Sequence, residues 1–204
     1  MELFLKILGV AASAYLLGSI PSSFIMAKML KGIDLREHGS GNLGAANTFR
    51  ILGASAAVPV LIIDIGKGFL AVKLVSLAGI ENFAFIALAA LMAIIGHNYS
   101  VFVKFSGGKG VGTTTGAFLA IVPVAVVICI AIWLIILLVT RIVSVASIAA
   151  SIALPLAVIA SRYYLGRDTD ILAVVLSVIV TVVVVYKHRS NIRRLRNHEE
   201  KRIF

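Results

Sequence analysis

The chain has 204 residues, 60% of them hydrophobic, a formal net charge of +10 and a mean hydropathy of +1.06. Soluble domains are nearer ~45–50% apolar, so a soluble globular protein is excluded. No soluble face is left to hold a nucleic acid, and cationic loops against an anionic membrane surface account better for the positive charge.

The first apolar run covers about 3–27, longer than the ~20 residues a bilayer requires. Its length, its polar Ser13, Tyr15 and Ser19, and the absence of a basic start followed by a small-residue cleavage site argue against a signal peptide. It is expected to stay as a span. Further apolar runs lie at about 54–78, 83–96, 113–139, 142–160 and 171–186. The loop between the first two runs carries Lys28, Lys31, Arg36 and Arg50, and the loop after the third carries Lys104 and Lys109. Lys187, Arg189, Arg193, Arg194, Arg196, Lys201 and Arg202 put seven of the 19 Lys and Arg in the tail. By the positive-inside rule both loops and the tail are cytoplasmic, and the N-terminus, with only Lys6, lies outside.

Parity then demands an even number of crossings between the second loop and the tail, where hydropathy shows three runs. The run 113–139 holds Pro123 near its middle. Proline interrupts a helix, so this run is expected to split into two helices, with Arg141 and Ser144 returned to the cytoplasmic face. The expected fold is an all-α integral membrane domain, 1–204, with about seven transmembrane helical segments. Cytoplasmic loops fall at about 28–53, 97–112 and 140–144, with a cytoplasmic tail at 187–204. Gly, Ala and Ser in the spans suit close helix packing in lipid. The single cysteine, Cys129, reads as a small buried hydrophobe.

Two glycine-rich basic loops stand out. The first runs from Asp34 to Asn47 and contains Gly39-x-Gly41-x-x-Gly44. That spacing matches a dinucleotide fingerprint, but no strand precedes it and no βαβ unit fits around it. What remains is an anion nest of backbone N–H groups. Ser40, Asn42 and Asn47 add neutral donors, and Arg36 and Arg50 add fork-shaped cations suited to phosphate. The second loop reads Gly107-Gly108-Lys109-Gly110-Val111-Gly112-Thr113. It fails the P-loop spacing, because position 103 is Val103 and Gly110 follows Lys109. A glycine turn opening a helix still presents N–H groups and a positive dipole end to an anion, beside Lys109 and Lys104.

His97, at the end of a span, is a candidate acid or base or a structural hydrogen-bonder. No aspartate follows any histidine at the five-residue step of an acyltransferase dyad. Neither a Gly-x-Ser-x-Gly elbow nor a histidine pair at metal spacing is present. Asp64 and Lys67, three apart in the second span, are expected to neutralise each other. His188 and Asn191 exceed what a bare cationic anchor needs, and are candidates to close the site.

These segments together resemble the bacterial acyl-phosphate:glycerol-3-phosphate acyltransferase family over nearly the whole chain. The resemblance is carried by Gly18-Ser19-Ile20-Pro21, Asp34-x-Arg36-Glu37-His38-Gly39-Ser40-Gly41-Asn42 with Asn47 and Arg50, and Asp64-x-x-Lys67-Gly68. It continues through Gly96-His97, Lys104-Phe105-x-Gly107-Gly108-Lys109-Gly110-Val111 and His188-Arg189-x-Asn191-Ile192-x-Arg194-Leu195. The family usually has threonine at Ala46, proline at Ser100, alanine at Gly112 and glycine at His198, which are local differences.

The resemblance implies a multi-pass enzyme of the bacterial inner membrane, with its active site facing the cytoplasm. It would move a fatty acyl group from acyl phosphate to glycerol 3-phosphate, giving 1-acyl-glycerol 3-phosphate and inorganic phosphate with no acyl-enzyme. Ser40, Asn42, Arg50 and Lys109 would hold phosphates, helped by Arg36, Asn47, Lys104, Arg141, Ser144, His188 and Asn191. Lys109 with the N–H groups near Gly108 and Gly110 would stabilise developing charge, with Ser40 beside the reacting groups and His97 as an alternative proton acceptor. No metal or cofactor is expected, the bilayer is the expected partner, and a monomer is the expected state. The rival reading is a transporter of a phosphorylated solute, which broken helices and intramembrane charges also suit.

Overall fold

The computed structural model describes residues 1–163 and 170–203; Phe204, the end of the predicted tail, lies outside the described residues. The described chain is helical, with one isolated bridge between Ser100 and Ser106. It divides into two compact units, Met1–Ala120 and Ile121–Phe204. The first holds α1 (Glu2–Ser19), α2 (Ser22–Lys31), α3 (Ala45–Leu52), α4 (Ala54–Leu77), α5 (Phe83–Asn98) and all but the last residue of α6 (Val111–Ile121). The second holds α7 (Pro123–Thr140), α8 (Val143–Tyr163), α9 (Ile171–Lys187) and α10 (Arg189–Arg196).

The run expected at 113–139 does break at Val122, and Pro123 opens the next helix at a position where its missing N–H costs nothing. The first apolar run breaks too, which hydropathy did not foresee. Pro21 cannot continue α1, and it pushes Ile20 out of helical geometry, to φ −53° and ψ 113°. The carbonyls at the break take distant donors: Lys67 Nζ bonds Ile20 O at 2.9 Å, beside the local Ser22 N–H at 3.1 Å, and Ser100 Oγ bonds Ser19 O. Gly53, with φ 82°, makes the corner from α3 into α4, a conformation that favours glycine.

Inside the first unit, glycines let helix backbones approach closely at several crossings. A Cβ on Gly18 would overlap Ala93 of α5, and one on Gly96 would overlap the Tyr15 carbonyl of α1. Gly68 meets Thr113 of α6, and Gly116 meets the Ile65 carbonyl of α4. Lipid offers no hydrophobic drive for helices to associate, so backbone approach at such glycines supplies the contact instead. Ala14, Ala71, Val75, Ala89 and Ala93 form the core among α1, α4 and α5. Phe118 and Ile94 are fully buried, while other large apolar side chains are exposed, as at Ile62, Leu61 and Leu74.

In the second unit α7 packs on α8, and α8 on α9. Trp133 Nε1 reaches Ser147 Oγ at 3.2 Å, and Thr181 Oγ1 reaches Ser151 O at 2.7 Å. Among the described residues, Glu2–Lys31, Pro123–Thr140 and Val143–Tyr163 are long and apolar enough to cross a membrane. A fourth span results if α9 and α10, bent by 55°, count as one. α4 is 24 residues long but carries Asp64, Lys67 and Lys73.

Candidate active site

The first loop is ordered by its own polar side chains. Asp34 caps the short helical turn Leu35–Glu37 by accepting the Arg36 N–H at 3.0 Å. The Arg36 guanidinium grips the same carboxylate, Nε to Oδ1 at 3.0 Å and Nη2 to Oδ2 at 2.6 Å. That hydrogen bond, against the opposing effect of burial, holds the Asp34 carboxyl down at about 2. Arg36 also donates to Val103 O at 3.2 Å and lies 5.5 Å over the Phe24 ring, so it ties the first loop to the second.

Asn47 is the loop's clamp. Its Oδ1 accepts the Ser40 N–H at 2.9 Å, and its Nδ2 donates to His38 O at 3.0 Å and Leu35 O at 3.3 Å. Beneath, Leu35 and Leu43 are buried with Ala27 and with Val103 of the second loop. The loop therefore sits on a hydrophobic floor and exposes its crown, with Ser40 and Gly41 at the surface and Asn42 half-buried. Arg50, one helical turn beyond Asn47, is half-buried, and its Nε is buried with no hydrogen-bond partner.

The second loop leaves α5 at Asn98 and folds back on itself. Ser100 N–H donates to Ser106 O at 3.1 Å, and Phe105 N–H donates to Ser100 O at 2.8 Å. Lys104 and Phe105 both take left-handed backbone, φ 57°, and both are exposed. Gly107 and Gly108 then pass directly over the end of α5. Side chains there would overlap the His97 carbonyl and the His97 ring. Gly108 N–H donates to His97 O at 3.0 Å, so this N–H is already engaged, whereas it was expected to face an oxyanion. Lys109 is half-buried, and Gly110, at φ 85°, leads into α6.

Below this turn lies a buried polar cluster. Asp64 Oδ1 accepts from Ser22 Oγ at 2.7 Å, pairs with Lys67 Nζ at 3.0 Å and faces His97 Nδ1 at 3.5 Å. All four side chains are buried. A crevice beside them is lined by Ser19, Pro21, Ser22, Lys67, His97 and Gly107. The expected Asp64–Lys67 pair is present, but Ser22 and His97 as its partners were missed. For Ser22 the available signal was Pro21, whose break frees α2 to turn Ser22 toward α4.

The remaining predicted residues belong to the second unit. Arg141 ends α7 in left-handed backbone, φ 60°, and its carbonyl accepts the Ile203 N–H at 2.8 Å. Ser144 Oγ and Asn191 Nδ2 both donate to Glu200 Oε1, at 2.7 and 2.6 Å, and Arg194 Nε reaches Oε2 at 2.6 Å. Burial pushes the Glu200 carboxyl up, but the donors Asn191, Arg194 and Ser144 outweigh it and hold the group below its ordinary value. His188 is buried, and its Nδ1–H donates to Val184 O at 2.8 Å. Glu200 was not foreseen; the one available signal was an acid set among tail cations.

A family model described as glycerol-3-phosphate acyltransferase matches residues 8–198, and the chain belongs to that family. The glycerol-3-phosphate acyltransferase of Chlorobaculum tepidum is 38% identical over 225 residues, covering 98% of this chain and 97% of that protein. Among solved structures, the glycerol 3-phosphate form of PlsY (YgiH), an integral membrane glycerol 3-phosphate acyltransferase, matches with a TM-score of 0.88. That match has 35% identity and covers 96% of this chain and 94% of that one. The lysophosphatidic acid form of the same protein matches with a TM-score of 0.86 and 34% identity, again over 96% and 94%.

Proposed function

We propose that this membrane acyltransferase takes its acyl group from acyl phosphate and gives it to a hydroxyl of glycerol 3-phosphate, releasing lysophosphatidate and inorganic phosphate. The observation that carries this reading is Arg50. Its Nε, on α3 just beyond a loop rich in anion-type donors, is buried with no hydrogen-bond partner. A buried guanidinium donor left unmatched is costly, and a phosphate oxygen is the partner it fits. The structures of the related PlsY with glycerol 3-phosphate and lysophosphatidic acid support the acceptor and the product.

In this account Ser40, Asn42, Arg50 and Lys109 hold phosphate oxygens, while Asn47 and Arg36 hold the first loop in shape. Lys104 adds charge at the mouth. The glycerol oxygen attacks the acyl carbonyl carbon, the bond from that carbon to the phosphate oxygen breaks, and inorganic phosphate leaves. A phosphate oxygen takes the hydroxyl proton. Lys109 and the Gly110 N–H stabilise the charge that develops on the carbonyl oxygen. The donor is a mixed anhydride with a good leaving group, so positioning and charge stabilisation suffice without a nucleophilic side chain. In the second unit Ser144 and Asn191 are committed to Glu200, and they support the tail there along with His188 and Arg141.

The same reading places α1 with α2, then α4, α5, α6, α7, α8 and α9, as seven segments in a bacterial inner membrane. Both loops and the tail then face the cytoplasm, as their Lys and Arg favour. The test supplies purified protein with radiolabelled glycerol 3-phosphate and either palmitoyl phosphate or palmitoyl-CoA. Labelled lysophosphatidate from palmitoyl phosphate alone is expected. Product from palmitoyl-CoA alone would replace the donor, and no product from either would overturn the proposal.

A further inference from the structure

We infer that Asp64 is a positioning residue for the turn Gly107–Gly110, acting through His97. The inference deepens the acyltransferase reading and depends on it only for its kinetic readout.

Neutralising one buried charge does not explain the cluster. Asp64 and Lys67 sit three apart on α4 and already pair at 3.0 Å, and Lys67 also donates to the Ile20 carbonyl at the Pro21 break. A self-contained pair of this kind needs no histidine. Yet the same Asp64 Oδ1 also faces His97 Nδ1 at 3.5 Å, with the His97 ring nine-tenths buried in the last turn of α5.

The consequence lies on the far side of that ring. Its Nε2 edge fills the space that a Gly108 Cβ would need, and the His97 carbonyl accepts the Gly108 N–H at 3.0 Å. One residue therefore supports the turn twice, through its ring and through its backbone. The turn's other stem rests on Asp64 itself, because a Cβ on Gly112 would stand 3.2 Å from Asp64 Cβ. Lys109 lies between these two supports. A carboxylate that holds one nitrogen of an imidazole fixes the ring's orientation and tautomer, so the opposite edge stays where it is needed. Rotation of the ring would take the floor from under Gly108 and displace the Lys109 ammonium, and a misplacement of about 1 Å is enough to cost catalysis heavily.

Asp64→Asn keeps the shape, weakens the hold on His97 and also leaves the buried Lys67 without its counter-ion. His97→Gln removes the ring without leaving a new buried charge, and carries the test if Asp64→Asn fails to fold. Hydrogen exchange on the purified protein in detergent is expected to speed up by about tenfold or more in the segment 106–112, with α8 and α9 unchanged. In the acyl transfer assay the KM of one phosphate-bearing substrate is expected to rise about tenfold, the other staying within about twofold. For exchange in 106–112 the double variant should be no worse than the more damaged single one, because both reach the turn through the His97 ring. Unchanged exchange in 106–112 would overturn the inference. So would a lower kcat with both KM values intact, the mark of a merely structural loss of active molecules, or losses that add. Wild-type protein that makes no lysophosphatidate would refute the acyltransferase reading and leave the exchange result to decide this one.

Discussion

At the residue scale the site is a division of labour among cations that look alike in sequence. Arg36 and Arg50 both read as phosphate ligands, but Arg36 is bound into Asp34 and the Val103 carbonyl, whereas Arg50 keeps a buried, unmatched Nε. Replacing Arg50 with Gln keeps much of the side chain's length and deletes the charge. A hydrogen bond to a charged group contributes roughly 1.5–3 kcal/mol, so kcat/KM for palmitoyl phosphate and glycerol 3-phosphate should fall by about 10- to 150-fold. Steady-state kinetics with each substrate varied in turn make the measurement. An unchanged kcat/KM would remove Arg50 from the phosphate site. The residue types were legible in the sequence, because phosphate binding needs forks, amides and glycines. Their assignment was not, because it depends on which guanidinium finds a carboxylate two residues away. Asn47 shows the same limit: an amide with the right chemistry for substrate, it bonds three backbone groups of its own loop.

At the element scale hydropathy located the helices well and their interruptions unevenly. The run ending near 78 corresponds to α4, ending at Leu77, and the run 171–186 to α9, at Ile171–Lys187. The break at Pro123 was legible because charge parity demanded a split and a proline stood in the run. The break at Pro21 carried no such demand: its flanks, Ile20 and Ser22, sit in an apolar run, and the donor that compensates it, Lys67, is remote in sequence. Prolines at 59 and 155 lie inside α4 and α8 without ending them, so proline alone does not announce a break. The glycines at helix crossings were legible as a composition bias. Their pairing, Gly68 with Thr113 and Gly116 with Ile65, was not, because it depends on how α4 and α6 meet in space.

At the scale of the whole molecule the two units carry separate parts of the predicted site: both glycine-rich loops belong to the first, and Arg141, Ser144, His188 and Asn191 to the second. The seven-segment reading puts the α7–α8 connection in the cytoplasm. On that proposal α6, 11 residues long and so about 17 Å at its helical rise, would turn within the bilayer at Val122. Arg141→Cys should accordingly resist a membrane-impermeant thiol reagent in intact cells, provided Cys129 is first replaced, and should react once the membrane is opened. Labelling in intact cells would reverse the orientation of this segment.

The central claim is that two phosphate-bearing substrates are held for direct transfer, with no acyl group ever resting on the protein. The most direct measurement mixes the enzyme with palmitoyl phosphate, first alone and then with glycerol 3-phosphate, and follows intact-protein mass together with both products. The account predicts an unmodified protein mass throughout, with lysophosphatidate and inorganic phosphate appearing one for one only when the acceptor is added. A palmitoyl adduct that forms without glycerol 3-phosphate and disappears when it is added would contradict the account.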